Sequence, residues 1–432
     1  MLPAGTYFLS MLPTPPDEIA VLLQRPVAIF GGGVSGRGVA SLLAAIGGSG
    51  CIYDEKAADA ENQFTPAHAQ RHGLVVFSPG FAPAHLWLET ARAGGCVCLG
   101  ELDFASLFWK GELLVITGTN GKTTLTEFLT HALNLSGRRA HMTGNIGYPF
   151  SRLVVEQAGR VDIAVCEVSS FQAETLRYLQ PTATFWTNFA EDHLERHPDL
   201  SAYFAAKWRV VERTAPNSVF VGTSVQAFAA GSGHALPNPA LVETEAQPPD
   251  ARLAATVFGS YPQRENFLLA LAWWRRSGLP EEKLYVAARS FKLGAHRLAR
   301  VGERRGVTFW NDSKATNFHA AEAALATFAT PVLWIGGGKA KGGDLGGFVH
   351  RIAARIRHAF LIGETQPVLA GFCRATHVPF TPCGNLEEAV QSALARAVSG
   401  DHILLSPGFA SFDMFRGYDD RGRQFENIVE KL

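Results

Sequence analysis

The sequence predicts an α/β protein of three successive domains with mostly parallel sheets. Three observations carry this reading. Short apolar runs alternate with helical stretches along most of the chain. Two of these runs end in glycine-rich turns that open helices, Gly31-Gly32-Gly33-Val34-Ser35-Gly36 and Gly118-Thr119-Asn120-Gly121-Lys122-Thr123-Thr124. The chain is 432 residues long, which suits about three domains. The expected divisions are residues 1–111, 112–294 and 295–432, with residues 1–18 a loose arm.

Composition excludes several classes. The chain is 47% hydrophobic and 18% charged, ample for large cores, and Lys+Arg 39 balances Asp+Glu 39. A global basic field is absent, which argues against nucleic acid as a partner. The six cysteines form no C-x-x-C pair and read as free thiols in a reducing compartment. No apolar run reaches membrane-spanning length, and no basic residue precedes Arg25, so neither a membrane span nor a signal peptide is expected. Met11 is an alternative start. The expectation is a cytoplasmic monomer.

The second glycine turn is the chemical centre. Leu113-Leu114-Val115-Ile116 reads as a strand covered on both faces. The turn matches the last part of a phosphate-binding loop, in which small residues let backbone N–H groups close on phosphate oxygens. The helix opening at Lys122 points its positive end at the same anion. Lys122 supplies a point charge, and Thr123 or Thr124 offers a hydroxyl to Mg²⁺. Two more strands end in polar residues. Val161–Cys166 runs into Glu167, and Thr182–Thr187 runs into Asn188. Strand carboxyl ends face the ligand crevice of such a sheet, so Glu167 and the segment from Asn188 to His193 can converge on Lys122. Glu167 suits a magnesium ligand there, as does His193. The helix around Lys207 places a lysine among Ala and Trp, and Asn266 opens a helix that either is capped by it or presents it to a nucleotide.

The first turn fits G-x-G-x-x-G after the strand Pro26–Phe30, and Asp54 ends the next strand where a ribose-binding acid would fall. Read by itself, this turn predicts NAD or FAD. In the last third, strands at Val307–Trp310, Val332–Ile335, Ala359–Ile362 and His402–Leu405 alternate with helices. The first of them leads into Asn311-Asp312-Ser313-Lys314-Ala315-Thr316-Asn317. Lys314 and Thr316 suit a carboxylate ligand, while the plain alternative is that Thr316 or Asn317 caps the next helix.

With these motifs in place, the chain resembles the Mur ligases, ATP-dependent enzymes that add amino acids to the peptidoglycan precursor. The resemblance rests on Gly118–Thr124, Gly144-Asn145-Ile146-Gly147, Glu167–Gln172, Asn188–His193 and Ala205-Ala206-Lys207. The run Asn311–Asn317 selects the D-glutamate-adding ligase among the sisters, supported by Gly337-Gly338-x-x-Lys341-Gly342-x-Asp344 and Ser406–Asp413. It implies a cytoplasmic ligase that joins D-glutamate to UDP-N-acetylmuramoyl-L-alanine through an acyl phosphate, using ATP and two Mg²⁺.

It also implies residue roles. Gly118 to Thr124 hold ATP, with Asn266, Arg297 and Asp312 on the nucleotide. Thr123, Glu167, His193 and a carbamylated Lys207 serve the metals. Lys122, His193 and Lys207 are the catalytic set. Gly33, Ser35 and Asp54 take the UDP, and Asn145 and His193 touch the substrate. Lys314, Thr316, Lys341, Ser411 and Phe412 hold the glutamate. One departure is Ala299, where the family carries an acid two residues after His296-Arg297. A folylpolyglutamate-type ligase is the near rival, opposed by the Asn311–Asn317 run. An NAD- or FAD-dependent oxidoreductase is the distant one, and it leaves the Lys122 loop unexplained.

Overall fold

A computed structural model describes residues 12–236, 240–242 and 248–432. Most of the expected arm, residues 1–11, lies outside the described residues, as do parts of the stretch between 217 and 250. Among the described residues no helix is long and apolar enough to cross a membrane. The chain forms two compact units. The first comprises residues 1–189, 204–259 and 263–291, and the second residues 190–203, 260–262 and 292–432.

The first unit holds two parallel sheets. In one, β1 (Val27–Phe30), β2 (Gly50–Tyr53), β3 (Leu74–Phe77) and β4 (Val97–Gly100) run in the order β2-β1-β3-β4. The other contains β5 (Glu112–Thr117), β6 (Ala140–Gly144), β7 (Ile163–Glu167), β8 (Ala183–Trp186), β9 (Val219–Gly222) and β10 (Ala240–Val242), in the order β10-β9-β8-β5-β7-β6. One apolar core serves both sheets: Ile29 and Val76 belong to the same cluster as Val115 and Ala164. Residue 111, the expected first boundary, lies between two parts of this core. Glu101 ties it further by accepting from the Ser151 amide (2.7 Å) and hydroxyl (2.6 Å).

β5 is central because its apolar run is buried on both faces, Leu114 to Ile116 being fully enclosed. The helix after it, Lys122–Leu135, buries Leu125, Phe128, Leu129, Ala132 and Leu133. That spacing presents one apolar stripe to the sheet.

The second unit has one sheet in the order β11-β12-β16-β13-β14-β15. Its strands are β11 (Ala299–Arg304), β12 (Val307–Asn311), β13 (Val332–Gly337), β14 (Ile356–Ile362), β15 (Phe380–Pro382) and β16 (His402–Leu405). All pairs are parallel except β11 with β12. One antiparallel edge on an otherwise parallel sheet agrees with the mostly parallel sheets expected from the sequence. β11 is hidden in the sequence because it is half-buried and polar, ARVGER, and joins β12 through a tight turn at Arg305-Gly306 in which both residues have positive φ.

Candidate active site

The phosphate loop of the first unit is shaped by close backbone approach. Gly118 has φ +144°, and a Cβ there would lie 1.9 Å from Thr187 Oγ1. Gly121 is left-handed at φ +82°, and a Cβ there would meet Asn266 Oδ1 at 2.7 Å. Both positions therefore need glycine. The end of β8 holds the loop in place. Thr119 N donates to Asn188 O (3.0 Å), Asn120 N to Asn188 Oδ1 (2.9 Å) and Thr187 Oγ1 to Asn120 O (2.6 Å). The helix at Lys122 has no side-chain cap, and its N-terminal end is the kind of site that attracts an anion. Lys122 Nζ folds back over the loop onto the carbonyls of Gly118 (3.0 Å) and Thr119 (2.8 Å).

Strand register sets Glu167 beside this loop, since it pairs with Ile116 on β5 and with Gly144 on β6. Glu167 Oε1 accepts from Asn145 Nδ2 at 3.0 Å. Its Oε2 is buried without a hydrogen-bond partner. An orphaned buried carboxylate oxygen is costly unless a cation or water completes it, so Glu167 fits a magnesium ligand. No group of three or more His, Cys, Asp or Glu among the described residues could hold a metal. A site of one carboxylate, the Thr123 hydroxyl and phosphate oxygens is of another kind, and it is the kind Mg²⁺ favours.

Lys207 is 1% exposed and does not reach back to solvent. Its Nζ donates to Gly118 O (2.8 Å) and lies 3.3 Å from Thr117 Oγ1. Asn266 sits in the first turn of the helix Gln263–Arg276, past its start, and donates to Gln263 Oε1 (2.9 Å). It is a neighbour of the phosphate loop and not a cap.

At the first glycine turn, Asp54 is engaged by backbone. It accepts from the amides of Gly32 (2.7 Å), Lys56 (2.8 Å) and Ala57 (3.1 Å). These bonds, led by that from Gly32, lower its pKa. Asp54 therefore fixes the turn. Gly33 is exposed and Ser35 half-buried on the helix opened there.

In the second unit, the residues expected at the glutamate separate into two places. Thr316 and Lys341 line one open pocket with Asp192, Asn317 and Phe409. Lys341 Nζ is 3.3 Å from Asp192 Oδ1 and 3.5 Å from Thr316 Oγ1. Asp192 Oδ2 accepts from Asn317 Nδ2 (2.8 Å). Asn317 also caps the helix Phe318–Ala326, accepting from Ala320 N, so the plain capping alternative is met at Asn317. Lys314 instead lies over the Tyr418 ring, 3.8 Å from its centroid. Ser411 is buried, whereas Phe412 is 71% exposed.

His193 belongs to the segment 190–203 of this second unit. It has φ +57°, and its Nδ1 is 3.2 Å from Glu195 Oε1. Asp312 is buried, accepting from Leu298 N (3.0 Å) and Ser406 Oγ (2.7 Å). Burial pushes its pKa up to about 7 against these bonds. Arg297 is half-buried nearby and favours the charged form of Asp312.

Several organising residues escaped the sequence reading. Arg421 is fully buried and donates to Ser313 Oγ (3.0 Å), Ser313 O (2.8 Å) and Phe409 O (3.2 Å). Asp192 and Thr187 likewise hold site loops through contacts between distant stretches. The only local signal was their position at the end of a strand or in a motif already noted for a neighbour.

Comparison with known proteins gives the family. The family model of the Mur ligase middle domain matches residues 116–233, and that of the Mur ligase glutamate ligase domain matches residues 296–409. A protein of Thermoanaerobacter pseudethanolicus named UDP-N-acetylmuramoylalanine--D-glutamate ligase is 32% identical, over 95% of this chain and 99% of the relative. One of the same name from Gloeobacter violaceus is 34% identical, over 94% and 99%. The crystal structure of UDP-N-acetylmuramate-alanine ligase MurC from Thermotoga maritima shares the fold, with a TM-score of 0.58, 14% identity, and coverage of 94% of this chain and 99% of that one. A phosphate loop beside an orphaned strand-end carboxylate, two matching family domains and near-full-length relatives place this chain in the Mur ligase family.

Proposed function

We propose that the chain is an ATP-dependent ligase that joins D-glutamate to UDP-N-acetylmuramoyl-L-alanine in peptidoglycan precursor synthesis. The observation that carries the reading is the pairing of the Lys122 loop with Glu167, whose Oε2 is buried and unpartnered, in a chain whose relatives bear that enzyme's name.

In this reading the L-alanyl carboxylate attacks the γ-phosphate of ATP and ADP leaves. The glutamate amine then attacks the acyl phosphate and inorganic phosphate leaves. The loop amides and Lys122 hold the phosphates in line and offset charge on the transferred group, the main service a protein gives phosphoryl transfer. Thr123 and Glu167 would hold Mg²⁺, which would supply charge neutralisation at the phosphate oxygens. His193 is a further metal and substrate-side residue.

Lys207 is carbamylated in this reading. A carbamate keeps one N–H for Gly118 O and replaces an ammonium with two anionic oxygens, the ligands a hard cation prefers. Thr316 and Lys341 bind a glutamate carboxylate, and Lys314, Ser411 and Phe412 are the further amino-acid residues of this reading. The 1–111, 112–294 and 295–432 division corresponds to UDP, ATP and amino-acid binding. Uridine nucleotide, not NAD, is the ligand of the Gly31 turn. Calorimetric titration with UDP and with NAD tests that last assignment, and saturable binding of NAD without UDP would reject it.

A further inference from the structure

The C-terminal helix Tyr418–Glu430 touches three of the loops of the second unit that carry nucleotide and glutamate residues in the ligase reading. Ser313 Oγ donates to Tyr418 O (2.7 Å), the Tyr418 ring seats Lys314, and Arg421 binds Ser313 and Phe409. Further along the helix, Glu426 meets His296 and Asn311. Asn311 Nδ2 donates to Glu426 Oε1 (2.7 Å) and to Gly422 O (3.0 Å), and lies 2.9 Å from His296 Nδ1. His296 Nδ1 is itself 3.2 Å from Glu426 Oε1.

An amide nitrogen has two hydrogens, and here three acceptors surround it. Asn311 Nδ2 thus joins the His296 ring to the helix, and Glu426 Oε1 stands beside Nδ1 at 3.2 Å as a charged neighbour. The ring cannot turn away freely, because it lies against Gly422, where a Cβ would come within 2.4 Å of Nδ1.

His296 also holds its neighbours. Its φ is +62° and that of Leu298 is +49°, values that a residue with a side chain keeps only when its surroundings impose them. The restraints are Lys314 N on His296 O (3.0 Å), Leu298 N on Asp312 Oδ1 (3.0 Å), and the Glu426–Asn311 grip on the ring. Arg297 lies between these two left-handed residues.

We infer that Glu426 is a positioning residue for nucleotide binding: it fixes the His296 ring through Asn311 and Nδ1, and so sets the turn that presents Arg297 and Asp312. The inference rests on the ligase reading above, in which those two residues serve ATP. Glu426 lies outside every motif from which that reading was built.

The test compares wild type with Glu426→Ala and Glu426→Gln on the full chain. Steady-state phosphate release gives kcat and the KM for each of the three substrates, and thermal unfolding reports the fold. Glu426→Ala should raise the KM for ATP about tenfold, the scale of one charge-assisted hydrogen bond, with the KM for glutamate changed less than twofold. Glu426→Gln keeps an acceptor oxygen and should return the KM for ATP to within twofold of wild type. An unchanged KM for ATP in Glu426→Ala would overturn the inference. So would a parallel loss for all three substrates with a lowered Tm, which marks a purely structural helix. A wild-type chain that released no phosphate would instead reject the ligase reading, so the two failures are distinguishable.

Discussion

Lys207 Nζ donates to the carbonyl of Gly118 at 2.8 Å, joining the helix Leu200–Glu212 to the first glycine of the phosphate loop across 89 residues of chain. A lysine 1% exposed and aimed at a phosphate site is an expensive arrangement for a merely structural contact. Lys207→Ala should be nearly inactive, and a small added carboxylate should partly restore phosphate release by replacing the carbamate oxygens. Mass spectrometry of the native protein should show an added carbon dioxide on Lys207. Full activity of the unsupplemented variant would refute the role.

The loop itself makes a steric prediction. A Cβ at Gly118 would lie 1.9 Å from Thr187 Oγ1, while one at Gly33 meets nothing within 4 Å. Gly118→Ala should therefore lose most nucleotide binding and cost about 1–3 kcal/mol of stability from backbone strain and displacement of Thr187. Gly33→Ala should leave stability within about 0.5 kcal/mol. Thermal unfolding and ADP titration of both variants check this contrast.

For the amino acid, Lys341→Ala and Lys314→Ala should each raise the KM for glutamate by roughly ten- to a hundredfold, the loss of one charge-assisted hydrogen bond, with the KM for ATP much less affected. Lys341 shares its pocket with Thr316 and Asp192, so Asp192→Asn should also weaken glutamate by loosening Lys341. If Lys314→Ala weakens ATP and spares glutamate, Lys314 belongs to the nucleotide.

Asp312 predicts a pH dependence with a definite sign. Burial raises its folded pKa from 3.8 to about 7. Between those values the folded state keeps a proton that the unfolded state has released, so stability falls as pH rises through that window and stays lower above it. Asp312→Asn removes the buried charge. The variant's Tm relative to wild type should therefore rise between pH 5 and pH 8, even as nucleotide affinity falls. A Tm difference independent of pH would contradict the assignment.

What the sequence revealed, and what it hid, follows from the range of the interactions. The phosphate loop was legible because strand, glycines, lysine and helix are contiguous, and Glu167 because a buried strand ended in an acid. Asp54 looked like a ribose ligand because its spacing fits one. That spacing also lets its carboxylate reach the Gly32 amide, and spacing cannot separate the two. Phe412 stood inside a motif, yet the buried stretch Phe409 to Ser411 ends there and Phe412 is exposed. Arg421 and Glu426 were invisible because Ser313 and Asn311, which they hold, are more than 100 residues away. On an amphipathic helix they resemble ordinary charged residues.

The central claim is tested most directly by release of inorganic phosphate from ATP with the two acceptor substrates added singly and together. The account predicts release only when UDP-N-acetylmuramoyl-L-alanine and D-glutamate are both present, one phosphate per amide bond formed, with L-glutamate inactive. Release that needs a folate and L-glutamate, or binding and reduction of NAD without phosphate release, would contradict it.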